Sequence, residues 1–123
     1  MEQEHIGARG RLGRHGEAVA AGWLEERGYR IVDRNWRCAR GELDLVAWDG
    51  GTLVFAEVKT RAGTSVGHPL EAITRQKLGR IRHLVPAWFA AHPEVSAPAI
   101  RIDALAVHVD GPRNVVQHLA GVL

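Results

Sequence analysis

Cysteine is almost missing from this 123-residue chain, which has only Cys38. A lone cysteine excludes an intramolecular disulfide and leaves no second thiol for a zinc site, so stability must come from a packed core in a reducing setting. Long apolar runs are also missing: LVPAWFAA at 84–91 falls well short of the roughly 18 residues a membrane helix needs. The opening MEQEHIGARG has no apolar core of the kind a secretion signal carries. These absences predict a cytoplasmic protein with no membrane partner. Lysine is scarce as well. Only Lys59 and Lys77 are lysines among 16 basic residues, and the other 14 are arginines.

The net charge of +2 is too small to demand a polyanionic partner by itself. Arginine's planar fork suits phosphate oxygens, although the base composition of the coding DNA would account equally well for the count. Placement is more informative than number. Arg9, Arg11 and Arg14 gather near the start, and Arg34, Arg37 and Arg40 recur just before a predicted hairpin. Seven histidines show no pairing at metal-ligand spacing, and Trp36, between Arg34 and Arg37, reads as a core or boundary residue.

A chain of this length with 46% hydrophobic and 24% charged residues supports one core, hence a single domain over 1–123 with loose ends at 1–7 and 111–123. Leu12, Val19, Ala20, Trp23 and Leu24 recur at helical steps and predict a helix over about 8–27, stopped by Gly28 and weakened early by Gly13 and Gly16. YRIVDRNWR reads as an edge strand. GELDLVAWDGGTLVFAEVKTR, at 41–61, reads as a hairpin turning at Gly50 and Gly51. A second helix is expected from Leu70, after Pro69, to about Val85, where Pro86 should break or kink it. AIRIDALAVHV, at 99–109, reads as a further strand, with Arg101 and Asp103 as a structural charge pair. The resulting order predicts an α/β or α+β fold with a mixed sheet.

With a two-residue loop at Gly50 and Gly51, Trp48 opposes Leu53. Asp44 then opposes Glu57, and Glu42 opposes Lys59, with all four side chains on one face. Opposed residues have Cβ atoms roughly 4.5–5.5 Å apart, where two carboxylates repel. A divalent cation offsets that repulsion, and an adjacent ammonium can orient a water toward phosphorus. The same four residues also fit a solvated hairpin face in which Glu42 and Lys59 form an ion pair. Glu17 lies at the edge of the first helix's apolar stripe. Lys77 interrupts the stripe of the second, between Ile73 and Ile81, and either snorkels outward or reaches the charged face.

LGRHGEAVAAGWLEERGYRIVDRNWR, followed by GELDLVAWDGGTLVFAEVKTR and a helix bearing QK, resembles the YraN-like family of small bacterial proteins. That family is grouped with the PD-(D/E)xK nucleases, near the archaeal Holliday junction resolvases. The likeness runs from about Leu12 to Val109. It implies a restriction-endonuclease-like α/β fold, with a mixed central sheet flanked by helices, and a Mg²⁺- or Mn²⁺-dependent DNA endonuclease acting on branched or repair DNA. By this likeness Asp44, Glu57 and Glu17 are metal ligands, and Lys59 completes the catalytic set. Arg37, Arg40, Arg61, Gln76 and Lys77 face the nucleic acid, and the loop at 61–69 adjoins it. A homodimer is also implied. Leu43 stands where the superfamily has proline. The alternative is a DNA-binding or protein-binding module that keeps the fold without catalysis.

Overall fold

The computed structural model describes residues 8–63 and 73–122. Their elements are α1 (Ala8–Glu26), β1 (Arg30–Cys38), β2 (Gly41–Asp49), β3 (Thr52–Ala62), α2 (Arg75–Ala91), β4 (Ala99–Asp110) and β5 (Arg113–Leu119). The strands lie side by side in chain order in one sheet. β3 and β4 are parallel and the other neighbours antiparallel. A parallel pair needs a long crossover, and α2 supplies it.

Each helix covers one sheet face. Ala20, Ala21 and Leu24 of α1 pack with Leu45, Val54, Ala56, Val58, Leu105 and Val107. On the other face Leu78, Ile81, Leu84, Val85 and Trp88 of α2 pack with Leu43, Val46, Leu53, Phe55 and Ile102. β3 alternates between the two clusters and is buried on both sides, which is why LVFA reads as a continuous apolar run. The fold is thus the expected α/β class, a mixed sheet between helices, in agreement with a restriction-endonuclease-like core. Among the described residues no helix is long and apolar enough to cross a membrane.

α1 stops where the sequence places its stop. Gly28 takes φ 89°, its N–H bonds the Glu25 carbonyl at 3.0 Å, and the Tyr29 N–H reaches back to the Leu24 carbonyl at 3.0 Å, satisfying carbonyls the helix leaves open. Gly16 has a different use from the helix-weakening one expected. It is the point where α1 touches β3, and a Cβ there would overlap the Thr60 side chain. We expect Gly16→Ala to push α1 off the sheet and cost about 1–3 kcal/mol, measured as a lower urea midpoint with an unchanged slope.

α2 departs from expectation at both ends. Leu70, like most of the 61–69 loop, lies outside the described residues, but Ile73 and Thr74 precede the helix, which starts at Arg75. Thr74 caps it, its hydroxyl accepting the Lys77 N–H at 3.2 Å, a local bond that outweighs the Pro69 signal. Pro86 does not end it, and the helix runs on to Ala91. Proline removes one backbone donor, while Leu84, Val85 and Trp88, all buried around it, anchor the last turns.

Residues 113–119, given no element by the sequence reading, form β5 against β4. A buried polar knot holds them there. Asp103 is fully buried and accepts Arg101 Nε at 2.8 Å, the Gly121 N–H at 2.9 Å and His118 Nε2 at 2.7 Å. Arg101 also reaches Asp49 and the Tyr29 hydroxyl, each at 2.9 Å. The Arg101–Asp103 pair is structural, as expected, and ties β4 to β5 and to the hairpin turn.

Candidate active site

The hairpin turns on two residues, with Gly50 at φ 58° in the first loop position, where positive φ suits glycine. Rungs run from Asp49↔Thr52 through Trp48↔Leu53 to Leu45↔Ala56, the register expected. At the next position the Asp44 carboxylate, in place of a backbone carbonyl, takes the Val58 N–H at 2.9 Å. That bond orients Asp44 toward Glu57, and the two carboxyls share a hydrogen bond.

Glu17, from α1, bonds Asp44 from the other side, so Asp44 is the centre of the group. Oxygens of Glu17, Glu42 and Asp44 all lie within 4.8 Å of one another. Glu42 does not face Lys59 as an ion-pair partner. β2 stays paired with β1 out to Cys38↔Gly41, and Glu42 bonds Arg37 Nε across that ladder at 2.6 Å. It is therefore a member of the acidic cluster that register reasoning on the hairpin alone assigned elsewhere.

Carboxyls bonded to carboxyls must share protons. Burial, then the Asp44 charge, pushes Glu17 up to about 7, with Asn35 opposing the shift by a hydrogen bond. Burial, then Asp44, pushes Glu57 up to about 8 against the pull of the Lys77 ammonium. Asp44 itself is raised, chiefly by burial, despite the Val58 N–H. A group that resists ionisation in this way is a site for positive charge.

Two clefts flank the cluster. One, of about 470 Å³, is lined by Glu17, Lys59, Thr60, Arg61 and the first turns of α1. The other, of about 260 Å³, is lined by Glu42, Glu57, Arg40, Lys77, Arg80 and the α2 face. Lys77 thus reaches the charged face and does not snorkel away. Arg37 and Arg40 border a third, shallow depression beside Glu42, and Arg61 borders the first cleft. Gln76 is exposed in the first turn of α2 and is not among the residues lining these clefts. Arg80, one turn beyond Lys77, is a cleft residue that sequence reasoning did not single out; the spacing of three from Lys77 was the available signal.

The sequence profile of the uncharacterised protein family UPF0102 matches residues 16–107, a span that holds the whole cluster. The chain belongs to the UPF0102 family. It is 52% identical over 120 residues to a UPF0102 protein of Kineococcus radiotolerans, covering 96% of this chain and 98% of that one. It is 54% identical over 114 residues to a UPF0102 protein of Arthrobacter sp. (90% and 94%), and 55% identical over 96 residues to one of Clavibacter michiganensis subsp. michiganensis (78% and 80%). In this UPF0102 member Glu17, Glu42, Asp44, Glu57, Lys59 and Lys77 come from four elements and meet at one end of the sheet. Such convergence at the hairpin is the feature the fold contributes.

Proposed function

We propose that this protein is a Mg²⁺- or Mn²⁺-dependent endonuclease that hydrolyses DNA phosphodiester bonds, with branched or repair intermediates as its substrates. The observation that carries the reading is Asp44 held between Glu17 and Glu57, within ligand distance of Glu42, with Lys59 and Glu17 lining one cleft. The resemblance to PD-(D/E)xK nucleases supports the same assignment.

The donor set fits the ion. Carboxylate oxygens are hard ligands suited to Mg²⁺ or Mn²⁺, which bind through a few carboxylates and keep sites for water and phosphate. Asp44, Glu57 and Glu17 are the proposed ligands, and Glu42 joins them by proximity. When bound, the ion polarises the phosphate and stabilises charge on the leaving oxygen. Asp44 is prealigned for this by the Val58 N–H. Lys59 positions the attacking water in the cleft it shares with Glu17. Arg40, Arg61 and Lys77, together with Arg80, hold backbone phosphates from the rim through charge-assisted bonds. Arg37 steadies Glu42 and offers its remaining donors to the same backbone.

The test is cleavage of four-way junction, flap and linear duplex DNA with Mg²⁺ or Mn²⁺. The wild-type protein yields product only with the ion, and Lys59→Ala loses product while still binding Mn²⁺. DNA binding with no product from any substrate in either ion would replace this reading with that of a binding module lacking catalysis.

A further inference from the structure

One residue of β1 has a backbone that a strand does not require. Asn35 has φ 52°, the only positive φ outside glycine among the described residues. It stands in mid-strand: the rungs on either side, Arg34↔Leu45 and Trp36↔Leu43, are in register, so no turn or bulge there explains it. The register between those rungs places Asn35 opposite Asp44. Its side chain bonds Glu17 on α1, and the bond favours the charged form of that carboxyl. The donor is therefore the Asn35 amide.

A left-handed residue in a strand costs conformational energy that asparagine tolerates better than most side chains. Such outliers gather at functional sites, where the surroundings hold them in place. Here the distortion sits beside Asp44 and its side chain ends on Glu17. We infer that Asn35 is a positioning residue, which links β1 to α1 and fixes the Glu17 carboxylate toward Asp44 and Glu42. The inference rests on the reading of these acids as cation ligands. Groups that orient a ligand by a hydrogen bond commonly change metal affinity by 10–100-fold when removed. Neither the periodicity of α1 nor the register of the hairpin points to this residue, because its part depends on a contact between elements distant in the chain.

Asn35→Gly separates the amide from the backbone. Glycine takes φ 52° freely, so the variant folds with a thermal midpoint at or above wild type, while the bond to Glu17 is gone. Calorimetric titration with Mn²⁺ alone is expected to show affinity weakened by roughly 10-fold. In a Glu17→Gln background the same substitution is expected to weaken binding by less than about 2-fold, since the group it acts through is already changed. Equal Mn²⁺ affinity in wild type and Asn35→Gly would overturn this inference and leave the cation reading intact. A full 10-fold loss in the Glu17→Gln background would also overturn it, because Asn35 would then act by another route. A wild-type protein that takes up no Mn²⁺ would remove the cation reading and this inference together.

Discussion

Asp44→Asn is expected to lower metal-dependent DNA cleavage by on the order of 10³-fold or more while raising the thermal midpoint of the metal-free protein at pH 8. The two effects share one cause. Asp44 is the only carboxyl bonded to both Glu17 and Glu57, and its charge is one of the forces that resist their ionisation. An amide oxygen can still accept the Val58 N–H, so the local geometry survives, while a negative charge leaves a crowded, half-buried group. The same change removes the central ligand. If the bound ion contributes several kcal/mol to transition-state stabilisation, its loss corresponds to three or more powers of ten in rate. Stability and activity then move in opposite directions, as they do where a functional site is held against its own repulsion. Single-turnover cleavage and differential scanning fluorimetry on the same preparations measure both. Cleavage at the wild-type rate would remove Asp44 from the chemistry. A lower midpoint would mean that the cluster stabilises the fold.

Raising the pH from about 5 to about 8 is expected to destabilise the metal-free protein, and Mn²⁺ is expected to reverse the loss. The direction follows from proton counts. Glu57 is pushed up to about 8 and Glu17 to about 7, from ordinary values near 4.5, so between those limits the folded state binds more protons than the unfolded state. Stability then falls with pH across that window, the reverse of the usual behaviour of salt-bridged carboxylates. Each unit of displacement is worth about 1.4 kcal/mol, which puts the swing on the order of a few kcal/mol. Glu57 dominates, because Glu17 is more open to solvent and its share is screened. A divalent ion binds the ionised carboxylates and not the protonated ones, so its stabilising effect grows as the pH rises. Thermal midpoints at half-unit pH steps, with and without Mn²⁺, give the profile. Asp44→Asn should flatten the metal-free curve. A metal-free midpoint that rises through this window would show that these carboxyls ionise at ordinary pH.

Local signals carried much of the architecture. Gly28 ends α1 because its φ is open to glycine and closed to most residues, a property of one position. The alternation of LDLVAW and TLVFAEVK with Gly50 and Gly51 between them sets the hairpin register, and through it the meeting of Asp44 with Glu57. Where two local signals competed, packing chose between them. Proline at 86 argued for an end to α2, yet buried Leu84, Val85 and Trp88 carried the helix past it. RNVVQHL reads poorly as a strand by itself, and β5 forms because β4 offers a free edge and Asp103 draws in His118 and the Gly121 N–H.

The residue types at the candidate site were therefore determined by sequence alone: four acids, two lysines and the hairpin that pairs two of the acids follow from spacing and turn chemistry. Their grouping was decided only by tertiary structure. Glu17 reaches Asp44 because glycine at 16 lets α1 settle against Thr60. Glu42 turns to Arg37 because β2 stays paired with β1. Asn35 matters because two elements meet over it. The reason is physical: register is a property of neighbouring strands, whereas the charge state and partners of a half-buried carboxyl depend on every element that excludes water from it.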